Sequence, residues 1–201
     1  MLLAIQAGQF YDQDWVGELL HRFADYYFTA LAANDQKSTS VPAVWSIAFE
    51  AARDPNTQTI QNLLLGVNAH INYDLVLTLV DLLQSEWEQL GEQKRQQRYA
   101  DHCQVNEIIG STIDTVQDQV IEPLDPGLGW VDKLFGNTDE WLISKLISRW
   151  REEVWQKTIQ HLENSKPGDR EQLLQEIGTT TLQRSNAILL KQGLVGLREL
   201  L

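Results

Sequence analysis

The chain has 201 residues, of which 43% are hydrophobic and 22% charged, enough for one domain with a substantial core. Its net charge of −12 argues against nucleic acid or an anionic membrane as a partner, since both need clustered cations. One cysteine, Cys103, excludes an intrachain disulfide. Met1–Gln6 has no basic residue and too short an apolar run for a signal peptide, and the apolar stretches read as too short to cross a bilayer. The expectation is a cytoplasmic protein without membrane insertion.

Helical periodicity runs through nearly the whole chain. A first helix is expected from about Asp12 to Asn34, with Trp15, Leu19, Phe23, Tyr26, Tyr27 and Ala30 on one arc. A polar loop to Ser40 follows. Ser40 is expected to cap a second helix that has Pro42 in its first turn and carries Val44, Trp45, Ile47, Ala48 and Phe49. After the turn at Asp54-Pro55-Asn56, a third helix is expected from about Thr57 to Leu90, stopping at Gly91. The fourth covers roughly Glu92 to Ile121, ending before Pro123. Glu122 to Asn137 reads as a connection with a short helical turn near Trp130–Phe135. Thr138 caps a fifth helix to about Asn164, broken by Lys166-Pro167-Gly168. Asp169 with Gln172 opens a last helix toward Leu190. Residues 1–201 therefore read as a single all-α domain, a bundle of about five to seven helices.

The informative stretch is Asn68-Ala69-His70-Ile71-Asn72-Tyr73-Asp74-Leu75, which places four polar side chains inside an otherwise apolar helix. Buried groups of this kind require partners. On a wheel of about 100° per residue, His70, Asp74 and Asp81 form one stripe and Gln61, Asn68 and Asn72 another, on nearly opposite sides. The two stripes cannot serve one small pocket, so at least one meets water or a second partner. On the fourth helix His102 and Asn106 share the apolar arc of Val105, Ile108 and Ile109, so both are expected to be buried, with Asp101 on the flank. His21 falls outside the first helix's apolar arc and is expected to be exposed. Arg151 projects between Trp150 and Trp155, either stacked at the surface or buried against a carboxylate such as Asp74 or Asp114. Most of the seven tryptophans lie on apolar faces and read as core.

The Asn-Ala-His-Ile-x-x-Asp-Leu element at 68–75, Asp101-His102-x-x-Val105-Asn106, and Arg149-Trp150-Arg151-Glu152-Glu153-x-Trp155 together resemble an uncharacterised bacterial family, domain-of-unknown-function family 5995. Val41-Pro42-x-x-Trp45-x-x-Ala48-Phe49 is similar too, and the resemblance spans about Trp15 to Leu162. It implies a shared fold and singles out Asn68, His70, Asp74, Asn106 and Trp150, with no established activity.

Three chemistries fit the polar set. His70, Asp74 and His102 could form a catalytic group, His70 and Asp74 lying one turn apart for proton transfer near neutral pH. Asn68, Asn72, Asn106, Arg151 and Trp150 would then line a ligand site. The same His70, Asp74 and His102 could hold a metal ion, but no His-Glu-x-x-His or paired Glu-x-x-His supports that reading. The cofactor is left open, a metal ion being compatible but not favoured. The plain alternative is a satisfied network that only fixes helix packing. Two functions therefore stand open: a small-molecule-binding or enzymatic protein, and a non-catalytic interaction module or homodimer. The latter would use the apolar face Ile188, Leu189, Leu190, Leu194, Val195, Leu197, Leu200 and Leu201.

Overall fold

The computed structural model describes residues 2–116, 138–164 and 169–190, with the side chains of Leu2, 110–116 and 138–143 left out of account. Helix is the only regular structure among the described residues, as the periodicity predicts. The helices are α1 (Leu2–Gln6), α2 (Gln13–Asp35), α3 (Ala43–Ala51), α4 (Thr59–Leu83), α5 (Glu92–Val116), α6 (Thr138–Asn164) and α7 (Asp169–Leu190). The expected end of the fourth helix, the connection at 122–137, the break at 165–168 and the apolar face beyond Leu190 lie outside the described residues.

Local chemistry sets the boundaries. Gly8, at φ 71°, closes α1 in the left-handed region that a side chain would resist. Asp12 caps α2 by accepting the Trp15 amide at 3.1 Å. Ser40 does not cap α3, contrary to expectation. Its hydroxyl pairs with that of Ser38 at 2.8 Å, and Pro42 occupies the cap position with no side-chain bond. The third helix also ends earlier than expected, at Leu83 rather than Leu90. Trp87 turns into the core there, and Arg95 binds the carbonyls of Trp87 and Leu90 at 2.7 and 3.1 Å while its guanidinium lies 4.5 Å from the Trp87 ring. The sequence pattern misses this because Trp87 continues the apolar period even though the backbone has left the helix.

α4 is the centre of the bundle. α2, α3, α6 and α7 pack around it, and α5 lies outside against α6. Leu65, Leu75, Val76, Leu79, Val80 and Leu83 are each at most 1% exposed. Each such leucine stabilises the fold by about 1.5–3 kcal/mol relative to exposure. The expectation that no stretch is long enough to cross a bilayer needs correction. Thr59–Leu83 is long and apolar enough to cross one, with a mean hydropathy of 1.4 over its most apolar part, but 72% of that part is buried inside the bundle. Its apolar faces are covered by four neighbouring helices.

α4 also departs from a regular helix at its middle. Thr59–Ala69 and Val76–Leu83 are α-helical, but His70–Leu75 is π-helical. This wider turn closes i→i+5 hydrogen bonds and is rare. The π turn spans His70, Asn72 and Asp74 and contacts α2, α6 and α7 at once.

Candidate functional site

The sequence-picked polar residues form three clusters rather than one pocket. The first lies where the π turn meets α2 and α3. Asp74 is 1% exposed and takes the Trp45 indole N–H on both carboxylate oxygens, at 3.2 and 3.0 Å. His70 Nδ1 lies 2.9 Å from Asp74 Oδ2. Burial pushes the Asp74 carboxyl above the usual range, and the bonds from His70 and Trp45 oppose that rise. The indole bond to both oxygens favours the ionised carboxylate, so Nδ1 carries the proton. The His70 ring stacks on Phe23 at 3.6 Å with planes 9° apart, and the rings of Tyr27 and Trp45 stand 6.1 Å away. The imidazole is thus held on one edge and one face. Its side chain keeps 30% exposure, and Nε2 meets no partner among the described residues.

The second cluster binds the opposite side of the π turn to α7. Asn68 Nδ2 donates to the Thr181 carbonyl at 2.9 Å and the Ser185 hydroxyl at 3.0 Å. Asn72 Nδ2 donates to Asn68 Oδ1 at 2.9 Å, and Asn72 Oδ1 accepts from Arg184 Nη1 at 2.5 Å. Arg184 continues to Glu153, which also takes Arg149, and its guanidinium lies 5.4 Å from the Trp150 ring. Burial would raise the Glu153 carboxyl, but the two arginines outweigh it and hold it below its usual value. Asn68, Asn72 and Trp150 are therefore engaged with the protein itself.

The third cluster joins α5 to α6. His102 is fully buried, with Nε2–H donating to the Arg151 carbonyl at 3.1 Å and its ring 5.1 Å from Trp155. Burial, reinforced by the Arg151 charge, drives His102 well below its ordinary value, so it is neutral. Arg151 Nη2 donates to the His102 carbonyl at 3.2 Å and Nε donates to Asn106 Oδ1. Burial lowers the Arg151 guanidinium to about 10.

These positions decide several expectations. His102 is buried, Asn106 is half-buried, and His21 is exposed. Arg151 does not meet Asp74. It faces α5, whereas Asp74 faces α3, because the two lie on different sides of the central packing. The side chain of Asp114 lies outside the described residues. His102 is likewise committed to α6 and does not join His70 and Asp74, so the catalytic and metal triads are not formed. No group of three His, Cys, Asp or Glu able to hold a metal occurs among the described residues. A surface groove of about 1260 Å³ runs between α6 and α7, lined by Lys157, His161 and Glu176 among others, and touches none of the sequence-picked residues.

Some contributors escaped the sequence reading. Trp45 looked like packing, yet an indole on a buried face carries an N–H that needs an acceptor, and that was the available signal. Asp101 is 1% exposed rather than flanking, and accepts the backbone amides of Tyr11 and Asp12 at 2.7 and 2.9 Å. Arg98, 4.8 Å from the Trp15 ring, links Asp12 to Glu86. No sequence pattern announces the contacts to Tyr11 and Asp12, because the partners are 86–90 residues apart.

The structure is thus an all-α bundle with a π turn at its centre, on which a buried Asp74 holds a part-exposed His70. The chain belongs to a family of unknown function (DUF5995), whose model matches residues 1–191. No curated protein and no solved structure matches it.

Proposed function

We propose that the chain is a cytoplasmic small-molecule-binding protein in which His70 transfers a proton to or from the bound molecule. The observation that carries this reading is the Asp74–His70 pair. A buried carboxylate, braced by Trp45, fixes Nδ1–H and leaves Nε2 open. Such an arrangement fixes the tautomer and orientation of the imidazole, as general acid–base work requires. π turns are frequent at functional sites, and this one carries both residues. Asn68, Asn72, Asn106, Arg151 and Trp150 do not join the site in this reading.

A second reading, a network that only fixes helix register, is favoured by the saturation of Asn68, Asn72 and Arg184 inside the protein. Diethyl pyrocarbonate, which acylates accessible unprotonated imidazole nitrogen, separates the two. Peptide mapping should show His70 modified, and Asp74→Asn should slow that reaction several-fold while far-UV circular dichroism stays unchanged. A His70 as inert as the sealed His102, or a rate indifferent to Asp74→Asn, would leave the structural reading in its place.

A further inference from the structure

Arg151 presents a problem in charge balance. It is 2% exposed, and no carboxylate lies within ion-pairing distance among the described residues. Arginine is almost never buried without an anionic partner, because desolvating the cation is expensive. Its hydrogen-bond partners here are neutral: Asn106 Oδ1, the His102 carbonyl and, at 3.5 Å, His102 Nδ1; the neighbouring Cys103 thiol, pushed up by burial, keeps its proton. They occupy Nε and Nη2, and Nη1 engages no described residue. The uncharged His102 supplies no compensating anion. Asn106 has committed its oxygen to Arg151, so it can offer only the Nδ2 donors, which meet no acceptor among the described residues. Unlike Arg151, it is only half-buried and reaches solvent. Among the described residues, the corner formed by α5 and α6 therefore holds a cation and an amide whose unpaired valences are donors.

We infer that Arg151 and Asn106 form an anion-binding site for a small ligand bearing a carboxylate or phosphate, whose oxygens accept from Arg151 Nη1 and Asn106 Nδ2. Planar guanidinium against oxyanion is the geometry arginine serves best. The site goes beyond the proton-transfer reading of His70 and does not depend on it, because the two lie on different faces of the bundle.

The test is thermal unfolding of the full chain with sodium phosphate or sodium acetate, at ionic strength held constant with NaCl. A saturable rise in Tm is expected, about 3–6 °C at tenfold above the half-saturating concentration. The anion with the lower half-saturation identifies the group. Asn106→Asp sets a carboxylate against Arg151 within the protein, so this variant should melt higher than wild type without added anion and lose the response. Arg151→Met should also lose it, and His70→Ala should keep it. The inference is overturned by the absence of a saturable shift with either anion, or by a shift that persists in Asn106→Asp. A lower Tm for Asn106→Asp in plain NaCl, or loss of the response in His70→Ala, would overturn it as well.

Discussion

Asp74 and His102 are both buried ionisable groups, and they push stability in opposite directions with pH. His102 has a folded pKa below its unfolded value of about 6.5, so the native state binds fewer protons than the unfolded chain. Its contribution is complete above that value and drains as pH falls through it. Asp74 and Asp101 are raised by burial, so their penalty is present above their folded values and is relieved as pH falls through them, nearer the carboxylate range. Tm should therefore decline from pH 7 toward pH 5, with the carboxylates softening the loss lower down. His102→Gln should flatten this decline more than His161→Gln, since His161 is shifted the same way but remains half-exposed. His102→Ala should cost about 2–4 kcal/mol, from the cavity and the orphaned Arg151 carbonyl. A denaturant midpoint unchanged from wild type would contradict the sealed position of this ring. The burial of His102 was legible, because it shares a helical arc with Val105 and Ile108. The partner of Arg151 was not. A wheel shows that a side chain points inward but not which neighbouring helix stands opposite.

At the scale of elements, the π turn explains why the wheel of α4 held two stripes that could not share a pocket. The stripes are real, and each is claimed by a different neighbour: His70 and Asp74 by α2 and α3, Asn68 and Asn72 by α7. Helix existence, order and most boundaries followed from period and punctuation. The π turn did not, because the apolar residues of His70–Leu75 continue the pattern of the α-helical turns on either side. Double-mutant cycles distinguish these connections. Asp74→Asn with Arg151→Met should be additive within about 0.5 kcal/mol, since no contact joins the pair. Asn72→Ala with Arg184→Met should not be, with a coupling of about 0.5–3 kcal/mol. Coupling in the first cycle, or additivity in the second, would mean that the packing of α4 against its neighbours differs from that described.

At the scale of the whole molecule, the polar clusters act as long-range ties. Asp101 holds the start of α2 from α5, Arg98 joins Asp12 to Glu86, and Arg170 of α7 reaches Asp81 of α4 at 2.8 Å. The exposed member of this set, Arg170 to Asp81, contributes at most about 1 kcal/mol and should weaken with salt. Because α2, α3, α6 and α7 all pack on α4, removing any one of them exposes part of its apolar surface. Calorimetry should then give one unfolding transition with equal van't Hoff and calorimetric enthalpies. Two resolved transitions would indicate that the helices around α4 divide into independent units.

The bond from Trp45 to Asp74 gives the molecule an internal optical reporter. On excitation an indole shifts electron density away from its pyrrole nitrogen, and in Trp45 that nitrogen faces a carboxylate rather than water. Protonation of Asp74 removes the negative charge from the position where it most stabilises the excited state, and displacement of His70 alters the same field. The colour of Trp45 emission is therefore tied to the state of the His70–Asp74 pair. A variant with Trp45 as its sole indole would let the pair be followed by eye of a fluorimeter, with no label and no known substrate.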